Sequence, residues 1–343
     1  AGAIVIGTGT TTGSSLEYIG AGDTTDRGIT MGGTTGGVTI YHNGTGPLKF
    51  TRDLDAAAAG AKNLVFRGDS KASGEFAGNI ADVGGSVIAV GKYDAGSWTL
   101  SGTNTYTGAL TVDSGTLFLS GSNGLANTVT INTGNLFLSG SLSQGAFICE
   151  VKGSTSGNGT LKMTSGSTLT GTGNLRVGTE NNSHGALYLE DGSLIRATTV
   201  NDGDGLTFGY NAGGYGYMKM SGGVLTCPRL QLGHTAGLTP SYGIVRMTGG
   251  IYATANTVHI SRNTNSVGVV TIEGGTLTHT NASTFIQMGY RGGRGELNLT
   301  GGNFLNDGQT IQVRYSSGNS TGIVNLCAGT LSLDAFLNNS TGT

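Results

Sequence analysis

Residues able to do acid–base or metal chemistry are sparse in this sequence. The densest acidic group is Glu190, Asp191, Asp202 and Asp204. Cleaving a glycosidic bond needs acidic or basic side chains converging on one face. The sequence shows no grouping of two or more carboxylates with a Lys or Arg on one face, so catalysis is not expected. The run Asn201-Asp202-Gly203-Asp204-Gly205 has the alternation of a calcium loop but lacks the glutamate that follows and the full ligand spacing. A polar turn accounts for it without a metal. His42, His184, His234, His259 and His279 show no His-x-x-x-His spacing. They are expected at the surface, and no metal or cofactor is expected. Arg67-Gly68-Asp69 matches an integrin-binding tripeptide, but three residues match by chance, and Leu64-Val65-Phe66 before it reads as a strand.

Contact chemistry is more suggestive. Tyr210, Tyr215, Tyr242, Arg262, Tyr290, Arg291, Arg294, Arg314 and Tyr315 fall in the segments that close successive repeats. Tyr and Arg are enriched where proteins meet partners. These nine residues are therefore the candidate surface for a partner or for self-assembly. Phe118, Phe137 and Tyr188 form a second outward aromatic set, which stacking between repeats would also explain.

The elements that must carry these residues are strands. Glycine supplies 65 of 343 residues, and Gly, Thr, Ser and Asn together make up about half the chain. All four are poor helix formers. With 36% hydrophobic residues and a net charge of −2, the chain is not a highly charged disordered segment. No run of 18 apolar residues suggests a membrane span, and the near-neutral balance gives no reason to expect nucleic acid. The chain starts at Ala1, as it would after removal of an export signal or in a cut chain.

Internal repetition organises the sequence. Gly96, Gly115, Gly134, Gly159, Gly185, Gly216, Gly243, Gly268, Gly295 and Gly322 each open an apolar alternation, at steps of about 19 to 31 residues. Two places on stand Trp98, Leu117, Leu136, Leu161, Leu187, Met218, Val245, Val270, Leu297 and Val324. Four places on stand Leu100, Leu119, Leu138, Met163, Leu189, Met220, Met247, Ile272, Leu299 and Leu326. Period-two alternation predicts a strand with one buried face. Seven places on, glycine returns at Gly166, Gly192, Gly223, Gly250, Gly275, Gly302 and Gly329. A second strand follows, as in Ser193-Leu194-Ile195. A third closes each later repeat, as in Leu175-Arg176-Val177 and Val258-His259-Ile260.

Three short strands per repeat predict an all-β, right-handed parallel β-helix, a β-solenoid stabilised between neighbouring coils. The glycines are read as corners needing tight, often positive-φ backbone. His259, between two inward residues, should point outward. Residues 1–95 repeat less clearly and are read as irregular N-terminal coils, with strands at Ala3–Ile6, Gly37–Tyr41, Leu48–Phe50, Asn63–Phe66 and Ser86–Val90. Asp55–Ala59 is read as a loop or one helical turn. Residues 96–343 form the regular part of one continuous domain. Cys149, Cys227 and Cys327 lie several coils apart, beyond disulfide reach, and are expected as buried or half-buried thiols.

The stretch Gly96-Ser97-Trp98-Thr99-Leu100-Ser101-Gly102-Thr103-Asn104-Thr105-Tyr106-Thr107-Gly108, continued by Thr111-Val112-Asp113-Ser114-Gly115-Thr116-Leu117, resembles the autotransporter-associated β-strand repeat. That resemblance implies an exported parallel β-helix of adhesive or structural kind, and no catalysis. The expected function is an extracellular or cell-surface structural element that assembles with copies of itself into a filament, sheath or layer, or is part of a longer surface fibre. Expected alternatives are a glycan- or host-binding adhesin and a polysaccharide lyase or hydrolase. Expected partners are further copies of the chain and, in the adhesin reading, glycans. Neither nucleic acid nor membrane insertion by this segment is expected.

Overall fold

A computed structural model describes the chain apart from residues 1, 8–12, 146–147, 156, 197–204, 236–237, 282–283, 307–309, 314–318 and 339–343. The chain divides into two compact units, Ala1–Phe147 and Ile148–Thr343. Both are parallel β-solenoid, and every strand pair described is parallel and joins one coil to the next.

In the first unit the strands Ser14–Tyr18, Gly36–His42, Gly60–Arg67, Ser86–Lys92, Leu110–Val112 and Val129–Ile131 stack as one sheet. The N-terminal coils share this plan, so the strands expected before residue 95 all form. Sequence reading missed Ser14–Tyr18, Asp23–Thr25 and Gly74–Phe76. Asp55–Ala56 is a two-residue strand paired with Thr30 and Met31, not a loop or helical turn. Its partner's fully buried row of Ile29, Thr30 and Met31 overrides the helix propensity of the alanines.

The aliphatic columns do face inward. Leu100, Leu119 and Leu138 are fully buried, as are Leu161, Leu189 and Met220 in the second unit. Burying each such side chain contributes about 1.5–3 kcal/mol. The last coil differs: Val324 is half-buried and Leu326 exposed, since its strand Thr321–Ser332 is described as pairing only with Arg294–Asn306.

The two glycine columns differ in backbone conformation, although a Cβ would also meet backbone at most returning positions, at 2.0 Å from the Gly192 carbonyl oxygen at Gly223. The returning glycines, Gly192 apart, turn corners in left-handed backbone, with φ of 79° at Gly250 and 64° at Gly302. The later opening glycines do not. A Cβ at Gly216 would stand 2.4 Å from the Val177 carbonyl oxygen, and one at Gly295 2.2 Å from that of Ile260. Here glycine allows a close approach between two faces of the coil.

Polar groups also stack. In the first unit Asn104 and Asn123 are buried neighbours: Asn104 Nδ2 donates to Asn123 Oδ1 at 2.8 Å, and Asn123 Nδ2 donates to the Ser141 carbonyl at 3.0 Å. Lys92 is also buried. Its ammonium donates to the carbonyls of Tyr93, Asp94 and Ser114, and burial pulls its pKa down to about 8. Of the three cysteines, Cys149 and Cys227 are buried, whereas Cys327 is exposed on the last described coil.

Candidate functional site

In the second unit the strands Leu175–Val177, Leu206–Phe208, Leu230–Leu232, Val258–Ile260, Ile286–Met288 and Thr310–Val313 form a ladder. Their middle residues point outward, yet Thr207, Gln231, His259, Gln287 and Gln312 are all buried. What covers them follows from the turn. Gly209, Gly233, Ser261 and Gly289, each just past its strand, adopt positive φ of 60–71°. The chain doubles back there, and the next residue lies over the ladder. Those next residues are Tyr210, His234, Arg262 and Tyr290.

The cover is a stack. The Arg176 guanidinium lies 4.2 Å from the Tyr210 ring centroid, and Tyr210 stacks on His234 at 4.4 Å and 13°. Arg262 Nη1 donates to Gln231 Oε1 at 2.8 Å and also contacts the His234 ring. Tyr290 packs on His259 at 5.1 Å. Beneath, Gln287 Nε2 donates to Gln312 Oε1 at 2.9 Å. Burial first, then the nearby Arg262 and Arg229 charges, drives the His259 pKa down to about 3. The expectation of surface histidines therefore fails at three of five: His42, His259 and His279 are buried. An outward position on a strand is not exposed when the following turn folds over it.

The nine Tyr and Arg positions thus do not share one edge. Tyr210, Arg262 and Tyr290 clamp the ladder, and Arg291 is exposed beside Tyr290, its guanidinium 4.9 Å from that ring. Tyr215, Tyr242 and Arg294 stand on another face, where Tyr215 pairs with Tyr242, Tyr242 with Val267, and Val267 with Arg294. Arg294 pairs with Glu296 at 3.1 Å. Arg314 and Tyr315 lie outside the described residues.

On that other face is a groove that sequence reading missed. Asn158, His184, Gly185, Ala186, Tyr188, Tyr215 and Tyr217 enclose about 320 Å³. The register builds it: Ala186 lies opposite Tyr217, and His184 opposite Tyr215. His184 packs on Tyr215 at 5.7 Å, Tyr188 meets Tyr217 edge-on at 6.1 Å, and Tyr215 leans on Tyr242 at 6.2 Å. The rings are half-buried, while Asn158 and His184 are exposed at the rim. The outward set expected in the sequence is split likewise: Phe118 packs on Phe137 in the first unit at 5.2 Å, and Tyr188 joins the groove.

Carboxylates also converge with basic residues at two places. In the first unit Arg52, Asp53 and Asp55 line a groove of about 630 Å³. Both carboxylates are exposed. Asp53 accepts the Asn79 backbone N–H at 2.7 Å, and Asp55 accepts that of Ala56 at 2.8 Å. In the second unit Lys152 meets Glu150 at 3.6 Å and Glu180 at 3.0 Å, and Arg176 meets Glu150 at 3.9 Å. The expectation of no such grouping is corrected: stacking places Glu150 beside Arg176 although 26 residues separate them. Of the acidic group picked from the sequence, only Glu190 and Asp191 are described. Glu190 pairs with Lys162 at 2.9 Å, Asp191 accepts from Ser165 at 2.9 Å, and Asp202 and Asp204 lie outside the described residues. Among the described residues no group of three or more His, Cys, Asp or Glu could hold a metal ion.

The Arg67-Gly68-Asp69 tripeptide is engaged within its unit. Arg67 Nη1 donates to the Tyr41 hydroxyl at 3.3 Å and Arg67 pairs with Asp94 at 3.3 Å, while Asp69 accepts the Ala95 N–H at 2.9 Å.

Residues 92–117 match the family described as passenger-associated-transport-repeat. Over 103 residues, 29% of this chain, the sequence is 35% identical to a protein named "Adhesin BmaC autotransporter" from Brucella suis biovar 1 (strain 1330), and spans 3% of that protein's length. No solved structure matches the chain significantly. The chain is thus a β-solenoid whose residues 92–117 match a passenger-associated-transport-repeat, in line with the resemblance read in residues 96–117. The repeat supplies core: Trp98, Leu100, Asn104, Tyr106, Leu110 and Val112 are all buried.

Proposed function

We propose that the protein is an extracellular or cell-surface β-solenoid segment without catalytic activity, and that its work is adhesive: a repeat scaffold holding partner-binding side chains on its outer faces. The observation that carries this reading is the half-exposed ring cluster of Tyr188, Tyr215 and Tyr217 on a backbone whose other aromatic column is folded down. Tyrosines around a concavity are the usual make-up of contact sites. The passenger repeat and the adhesin relative support an exported, surface setting. The carboxylates near Arg52 are exposed, and Glu150 and Glu180 are held in ion pairs, which favours a structural role for both groups.

Beads coated with the purified chain should be retained on layers of mammalian or bacterial cells above albumin-coated beads. Equal retention on every layer refutes adhesion.

A second reading, assembly with copies of itself into a filament, sheath or layer, is favoured by Ile195, Val224 and Ile251. These outward residues of neighbouring coils are 41%, 40% and 48% exposed, and Val224 lies directly opposite Ile251. Sedimentation at rising concentration should show association that Val224→Lys with Ile251→Lys abolishes. A monomer throughout sinks it.

A further inference from the structure

We infer that the groove around Ala186 is a binding site for a neutral pyranose of a glycan chain, an inference that rests on the adhesive reading and gives it a ligand class. The geometry begins with a gap. The outward column one place after the opening glycine runs Thr160, Ala186, Tyr217, Ile244. At Ala186 the side chain is a single methyl, and everything around it is larger. His184 and Tyr188 flank it along its own strand; Tyr217 stands directly opposite, with Tyr215 diagonally beyond. The rings stand clear of the floor made by Gly185 and Ala186 and leave about 320 Å³. That volume is at the lower end of ligand pockets, suited to one or two sugar rings and not to a folded protein loop.

The chemistry of the walls selects the occupant. Three tyrosine rings and an imidazole offer π-faces and edges, to which the C–H face of a pyranose is complementary as an aromatic edge is. Asn158 and His184 at the rim and the tyrosine hydroxyls supply donors and acceptors for sugar hydroxyls. Burial, with the neighbouring Tyr217 second, raises the Tyr215 pKa, so its hydroxyl stays a neutral donor. No carboxylate, Lys or Arg lines the groove. The nearest basic column faces carboxylates: Lys162 pairs with Glu190 at 2.9 Å, and Arg246 Nε and Nη2 bind Glu273 at 2.7 and 2.8 Å. Arg246 also meets the Tyr217 hydroxyl, and Lys219, opposite Tyr188, lies in the field of the same Glu273. An acidic sugar would therefore lose its hydration without gaining a counter-charge, whereas a neutral one would not. Clamping between coils alone does not require the gap, because a larger residue at 186 would bring more ring contact and not less.

The test uses the whole chain and saturation-transfer NMR with lactose, cellohexaose, mannohexaose, maltohexaose and a heparin hexasaccharide. At least one neutral sugar is expected to bind. Ala186→Tyr fills the groove while keeping a strand-favouring residue on a half-buried outward position, and should abolish that binding with the melting temperature preserved. Tyr217→Ala should weaken it roughly tenfold or more, and decides the matter should Ala186→Tyr unfold. Three results overturn the inference: no sugar binds, only the heparin fragment binds, or binding survives both substitutions. Bead adhesion that persists in Ala186→Tyr without sugar binding removes the groove and leaves adhesion standing. Sugar binding without cell adhesion does the reverse.

Discussion

His259→Gln should remove an acid sensitivity that one buried imidazole builds into the second unit. In the folded chain the His259 pKa sits near 3, below its ordinary 6.5, because burial and then the Arg262 and Arg229 charges oppose a third positive charge. Its Nδ1 has no hydrogen-bond partner among the described residues. The unfolded chain therefore takes up a proton below pH 6.5 that the folded chain refuses until about pH 3. Stability from this group is fully present above pH 6.5 and is lost as pH falls towards 3, by up to about 1.4 kcal/mol per unit. Between pH 7.5 and pH 5 that amounts to about 2 kcal/mol. Glutamine at 259 continues the column of Gln231, Gln287 and Gln312 and carries no titrating group. Thermal melts of both proteins at the two pH values isolate the effect. His42 and His279, whose pKa values burial also lowers, are common to both and cancel. The wild type should lose roughly 4–8 °C more than the variant on acidification, and the His259 ring proton resonance should not titrate above pH 4. Equal acid losses, or a His259 midpoint near 6.5, would refute the covered-ladder argument.

Leu161→Ala, at a fully buried stacking position, should cost about 2–5 kcal/mol in denaturant unfolding. Asn104→Ala leaves the Ile80 N–H and Asn123 Oδ1 without their partner and should cost about 1–3 kcal/mol per group, whereas an exposed asparagine would cost little. Two glycines with different surroundings should respond differently. Gly166→Asn, at φ 74° with open space around it, should cost under about 1 kcal/mol. Gly216→Ala, aimed at the Val177 carbonyl, should cost about 1–3 kcal/mol or more. Incubation with pectin, alginate or xylan should release no reducing ends or unsaturated products; release that Asp53→Asn or Asp55→Asn abolishes would make the groove near Arg52 catalytic.

The inner half of this protein was legible because stacking forces repetition. Leu117 must resemble Leu136 since each is the other's neighbour in register, so the aliphatic columns announce strand, face and period together. The outer half follows no such constraint. His259 alternates correctly and points outward, yet its exposure depends on Gly289 of the next coil turning the chain to positive φ and laying Tyr290 against the ring. The opening glycines were legible as a column but not in cause. Composition cannot distinguish a residue that needs left-handed backbone from one that needs the absence of a Cβ. Grouping across coils was hidden as well. Arg176 reaches Glu150 only once the 26-residue step between them is known.

A site in such a fold arises where a repeated column is interrupted. The outward columns of the second unit are filled almost everywhere: Ile244 and Val269 follow Tyr217, and Lys219, Arg246 and Thr271 follow Tyr188. Each of these covers its neighbour, so the face is closed by its own side chains. At Ala186 the filling fails on one coil while the rings on both sides remain, and the closed face becomes a concavity. The gap does not reach the core: the inward positions of the same strand, Leu187 and Leu189, stay fully buried. Separation of inner and outer duties on alternating residues lets a repeat protein vary its outer face coil by coil without unpacking its core. It also means that one outward substitution, Ala186→Tyr, should silence a site without loosening the coil that presents it.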